Sequence, residues 1–235
     1  MRLAMALVCM MWLGLASRAA AYTNADLVDA FNKTVFASEY SLLGFGQGYV
    51  RKFEQPVRVI VHSTAGRAAK EQVEAFILSL PNLIENLDID VVQNSSEANF
   101  AVYVVQQHTY AKTVRNIVFK DKSVPARGRC MVRSVFTREA MTRSDAVIVA
   151  DDGEKLFSRC MTEEILQGLG PLNDDRSLVH SMFNDGTAFT SFRRFDRLLL
   201  NMLYDERIKH GASRRSVQKL LPVIARDNRR RIEGR

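Results

Sequence analysis

Histidine, cysteine and proline are scarce in this 235-residue chain, which has four His, three Cys, five Pro and a single Trp. His62, His108, His180 and His210 stand isolated, so the sequence supports no three-histidine metal centre. Of these, only His180 lies close to the one motif of interest. Two cysteines outside the N-terminal run, without paired histidines, also argue against a zinc site. No G-x-S-x-G elbow is present, which removes the usual mark of a serine hydrolase. Gly44, Gly46 and Gly48 alternate, but no strand precedes them and no clear helix follows. They read as a flexible connector and not as a phosphate loop. Beyond the first 21 residues no apolar run approaches the ~20 residues of a membrane span.

The N-terminus has the layout of a cleaved leader. Arg2 precedes an apolar run from Leu3 to Leu15, and Ala19-Ala20-Ala21 supplies the small residues of a cleavage site before Tyr22. The sequence therefore divides into a signal peptide over 1–21, a single domain over 22–226 and a basic tail over 227–235. Leaving Arg2 and Arg18 out of the 33 basic residues, against 26 acidic ones, gives a mature charge of about +5. Such a charge on a bacterial periplasmic or secreted protein fits anionic envelope polymers or headgroups better than nucleic acid. Cys130 and Cys160 remain after processing, and in an oxidising compartment an even pair most simply forms one disulfide. Two free thiols are the alternative.

Hydrophobic spacing then gives the elements. Leu27, Phe31 and Val35 predict a helix over 24–38 capped by Asn24, and Val57–Val61 reads as a strand. Ala69, Val73, Phe76, Ile77 and Leu80 define a helix over 65–80 that Pro81 breaks. Strands follow at 89–92, 100–105, 131–136 and 146–150. From 154 onward the pattern is helical: 154–169, a short helix over 177–183, 192–204 and 213–225. A strand-rich half followed by a helical half argues for an α+β fold with a mixed sheet covered by helices.

The densest chemistry lies in Cys160-Met-Thr-Glu163-Glu164-Ile-Leu-Gln167-Gly-Leu-Gly170-Pro-Leu-Asn173-Asp174. Its spacing follows the zinc-peptidase pattern H-E-x-x-H-x-x-G-x-x-H, with every imidazole replaced. Glu163, Gln167 and Asn173 stand at the three ligand positions, Glu164 at the general base and Gly170 at the turn. Residues 163 and 167 share a helix face, with stems about 6 Å apart. Oxygen-bearing side chains suit calcium, magnesium or manganese and not zinc.

Three blocks carry a family resemblance: Glu163-Glu164-x-x-Gln167-x-Leu169-Gly170-x-x-Asn173-Asp174; Ser181-Met-Phe183-Asn184-Asp185; and Phe195-Asp196 with Leu199, Leu203-Tyr204-Asp205-x-Arg207 and Gly211. Together they resemble the secreted proteobacterial family called domain of unknown function 2927. The resemblance implies a zincin-like fold, in which a mixed sheet is packed by an active-site-type helix, and it implies no proven reaction. Ala212 stands where the resemblance leads one to expect methionine.

Two functional expectations follow. The first is a non-catalytic module of the cell envelope, binding a peptide, glycan or protein through Glu163, Gln167, Asn173, Asp174 and Tyr204, with no cofactor. The alternative is a metal-dependent hydrolase holding a hard divalent cation, with Glu164 as general base. A plainer reading of the same residues is hydrogen bonding that fixes the helix–loop junction, with Gln167 donating to Glu163 or Asn173.

Overall fold

The structure is a computed structural model that describes residues 22–36 and 48–234. The expected leader, the last residues of the first predicted helix and Gly44 and Gly46 lie outside the described residues. Helix α1 (Asn24–Val35) is capped by Thr23 and not by Asn24: the Thr23 hydroxyl accepts from the Asp26 N–H, while the Asp26 carboxylate accepts from the Thr23 N–H. This reciprocal pair is a capping box, and it satisfies two otherwise orphaned donors.

Five strands form one sheet: β1 (Val57–Ser63), β2 (Ile89–Val91), β3 (Phe100–Val105), β4 (Cys130–Phe136) and β5 (Met141–Val149). Their order is β2-β1-β3-β5-β4, with parallel pairing throughout except for the antiparallel edge strand β4. Helix α2 (Arg67–Ser79) connects β1 to its parallel neighbour β2, and Pro81 turns its end into a 3-10 segment, Leu80–Asn82. The mixed sheet expected from the sequence is present, and the chain is a mixed α/β protein.

Period-two alternation gives the sheet two apolar faces. Phe100, Val102, Val104, Ala146 and Ile148 point into the main core. Val105, Val147 and Val149 point the other way, onto helix α3 (Gln107–Thr113) and the π-helical turn Val114–Phe119. The sequence reading assigned nothing to this stretch, although Tyr110, Val114 and Val118 recur every four residues and are buried.

The main core is closed by helix α4 (Glu154–Gln167), helix α5 (Arg194–Leu203), helix α6 (Arg214–Gln218) and helix α7 (Leu221–Glu233). Two expectations fail here. Residues 177–183 form turns and no helix, because side chains take the N–H groups a helix would use. Asp175 accepts from the Ser177 N–H, Ser181 from the Phe183 N–H and Asp196 from the Met182 N–H.

The second concerns the basic tail over 227–235. Helix α7 runs on through Glu233, because the buried Leu221, Ile224, Ala225 and Asn228 and the half-buried Ile232 keep helical spacing. Arg229 is tied to the start of the described chain. It donates to the Tyr22 carbonyl at 2.7 Å and to Asn24 Oδ1 at 3.1 Å, and pairs with Glu233.

Candidate functional site

Helix α4 leaves strand β5 through Gly153, whose φ of +97° favours glycine. Its inner face buries Phe157, Met161, Ile165 and Leu166 in the main core. A disulfide between Cys160 and Cys130 ties α4 to the edge strand β4. At the other end the helix is held carbonyl by carbonyl. The Ser144 hydroxyl donates to Gly168 O at 2.7 Å and the Tyr204 hydroxyl to Leu169 O at 2.9 Å. Gly170, at φ +142°, closes the turn where a Cβ would stand 2.3 Å from the Arg51 carbonyl oxygen. After the Gly170 turn the chain comes back alongside the helix, where Asp174 meets Gln167.

Within that geometry the side chains divide. Glu163 is buried and paired with Arg159, Nε to Oε2 at 3.2 Å, one helical turn earlier. The same guanidinium donates to the carbonyls of Thr187 (2.9 Å), Phe189 (3.2 Å), Met182 (3.2 Å) and Asn184 (3.3 Å). Arg159 therefore fastens the loop 182–189 onto α4. Gln167 donates to Asp174 Oδ1 at 2.8 Å, and not to Glu163 or Asn173. Asn173 sends its amide to the Lys33 carbonyl (3.0 Å) and the Asp174 carbonyl (2.9 Å), so it bonds backbone on α1 and its own loop.

Among the described residues one acidic cluster forms: carboxylate oxygens of Glu163, Asp174 and Asp185 all lie within 4.8 Å of one another. Two of the expected site residues, Glu163 and Asp174, meet here, and Gln167 reaches the cluster through Asp174. Glu164 is buried on α4, about 100° further round the helix. Tyr204 is buried as well, and burial raises its phenol above the usual range. Its hydroxyl bonds Leu169, and the Lys52 ammonium lies 5.3 Å from the centre of its ring. The structure gives it a place beneath the end of α4.

The loop that carries Asp185 is anchored from below. Ser181 Oγ donates to Asp196 Oδ1 at 2.6 Å, and the Met182 N–H lies 3.2 Å from Oδ2. Asp196 is fully buried on α5, and desolvation pushes its carboxyl up to about 7. Above this anchor Asn184 Oδ1 accepts from the Gly186 N–H and makes a turn. A concavity of about 530 Å³ opens beside it, lined by Arg176, Val179, Asn184, Asp185, Gly186 and Thr187.

Sequence reasoning missed Arg159 and Asp185 as members of the site. Arg159 carried a signal, since it stands four residues before Glu163 on the same helix face. Asp185 stood in the sequence only as the last residue of the second family block. No histidine joins the cluster: His180 packs on Tyr22 and Phe195, His62 stacks on Tyr103 and His210 bonds the Lys52 and Thr137 carbonyls. His108 is exposed on α3. With no imidazole or thiolate among the donors, the cluster does not fit zinc.

Comparison with known proteins yields a family and nothing finer. No curated protein and no solved structure matches the chain. A family model described as "Protein of unknown function (DUF2927)" matches residues 24–223, which takes in α4, the anchored loop and α5. The chain belongs to the DUF2927 family.

Proposed function

We propose that the chain is an exported, non-catalytic binding module on a zincin-like scaffold, in which the former metal site has become a hydrogen-bonded anchor. Arg159 carries this reading. Its guanidinium pairs with Glu163, at the first ligand position of the motif, and holds four carbonyls of the loop beside the concavity. Gln167, at the second position, is bonded to Asp174. Side chains used in this way set the shape of a surface and do not activate water. The zincin-like scaffold is supported by the mixed sheet with α4 packed on β4 and β5, and by the Gly170 turn. The disulfide suits an oxidising, periplasmic or secreted setting. The ligand would be an envelope peptide, glycan or protein surface that reaches the concavity beside Asp185.

The deciding experiment offers the purified protein unstructured peptides with and without added divalent cations. No hydrolysis is expected. Metal-dependent cleavage lost in Glu164→Gln would overturn the reading.

One observation favours a second reading. The Glu163, Asp174 and Asp185 oxygens form an all-oxygen donor set of the kind that calcium, magnesium or manganese accept. In that reading they hold a hard cation and Glu164 serves as general base. Arg159 already supplies positive charge to Glu163, so a cation must compete with it. Elemental analysis of protein purified without chelator tests this directly: a stoichiometric cation, lost in Asp174→Ala, would favour the second reading over the first.

A further inference from the structure

We infer that the exposed ridge of α6 and α7 docks on a membrane surface rich in anionic lipid headgroups. Arg214, Arg215, Gln218 and Lys219 line a concavity of about 520 Å³, and no carboxylate stands among them. Two arginines nearby are neutralised, Arg229 by Glu233 and Arg231 by Glu85, while Arg226 lies 3.6 Å from Asp227, an acid that it shares with Arg207. Among the described residues Arg214, Arg215 and Lys219 pair with no acid. Arg214 lies against the Phe36 ring, 5.9 Å from its centre, which helps to hold its charge in place.

A cationic concavity alone would fit any small anion. The neighbouring residues narrow the choice. Leu220 and Val223 directly follow, 38 % and 41 % exposed, and Pro222 between them is exposed too. Lys219, Val223, Arg226 and Arg230 continue the same stripe at helical spacing, while Val217, Leu221, Ile224, Ala225 and Asn228 are buried beneath. A soluble phosphate would use the cations and gain nothing from the aliphatic side chains. A bilayer interface uses both: the aliphatics enter the headgroup boundary, and the long cationic side chains reach lipid phosphates around them. This surface is separate from the cluster at Glu163, so the inference does not rest on the binding-module reading.

The test is sedimentation of the full chain, in the form its host accumulates, with vesicles of phosphatidylglycerol and phosphatidylethanolamine or of phosphatidylcholine alone. Binding should require the anionic lipid and weaken as salt rises. The triple variant Arg214→Ala, Arg215→Ala, Lys219→Ala should lower partitioning roughly a hundredfold. Leu220→Ser with Val223→Ser should lower it roughly tenfold or more at unchanged charge. All five positions are exposed, so melting temperatures should not move; if the triple variant misfolds, Lys219→Glu alone serves for the charge arm. Equal binding to neutral vesicles, or an unaltered triple variant, overturns the inference. So does displacement by excess inorganic phosphate with the Leu220/Val223 variant unaffected, which would assign the site to a soluble anion.

Discussion

Ser181 and Asp196 meet in full burial, hydroxyl to carboxylate at 2.6 Å, and so join the loop of the second family block to the helix of the third. Asp196 is pushed up to about 7 because burial disfavours its charge more than the Ser181 hydroxyl and the Met182 N–H favour it. A carboxyl with a raised folded-state pKa binds its proton more tightly in the native chain than in the unfolded one. Its stabilising share is thus present below the ordinary carboxylate range and is lost as pH rises towards 7. Asp196→Asn removes this titration and keeps an acceptor for Ser181. Measured by urea unfolding, the stability of Asp196→Asn relative to wild type should rise by roughly 2–4 kcal/mol between about pH 4 and pH 7. A flat difference would mean that Asp196 does not titrate there.

Arg159→Ala should be among the most damaging single substitutions on α4. It removes the ion pair to Glu163 and the donors to four loop carbonyls at once. Breaking one side of a buried pair costs roughly 3–5 kcal/mol. The same variant separates the two functional readings. Without the guanidinium, the Glu163, Asp174 and Asp185 carboxylates repel one another at close range. Added calcium or manganese should then raise the melting temperature of Arg159→Ala and leave wild type unmoved. An equal rise in both would show that the cation and Arg159 do not compete.

The Cys130–Cys160 disulfide spans 30 residues and fixes the edge strand to the helix that bears the cluster. Closing a loop of that length is worth roughly 3–4 kcal/mol in the unfolded-state account. In a domain of this size Cys130→Ala with Cys160→Ala should lower the melting temperature by roughly 6–15 °C. Reductant should lower wild type by a similar amount and leave the double variant where it is.

Much of this architecture could be read from the chain because its signals are local. Phe100–Val105 and the start of α4 at Glu154 follow directly from β-branched runs and helical spacing. Glu163 and Gln167 share a helix face because the period of 3.6 residues puts them there. What stayed hidden was set by distant partners. Asp175, Ser181 and Asp196 capture the N–H groups of residues 177, 183 and 182, which turns a plausible short helix into turns. The last helix outruns its expected end on its buried spacing, and the contact that ties that end down, Arg229 to the Tyr22 carbonyl, lies more than 200 positions away in sequence. Asp185 joins the acidic cluster only once Arg159 has drawn its loop onto α4, and no spacing rule reports that contact.

Tyr204 offers the clearest separation of scaffold from binding surface. Read from sequence, it could line a cleft. In the fold its hydroxyl is spent on the Leu169 carbonyl, beside the Gly170 turn and out of contact with solvent. Tyr204→Phe keeps the ring beside Lys52 and removes one hydrogen bond, leaving a buried carbonyl without its donor. That loss should cost about 1–2 kcal/mol in chemical unfolding. Affinity for any ligand that depends on Asp185 or Thr187 should stay within about twofold, since a lost bond under the helix end alters neither side chain. A tenfold loss of ligand affinity with unchanged stability would instead place Tyr204 in the binding surface. The two measurements on one variant therefore distinguish a residue that holds α4 in place from one that meets the ligand.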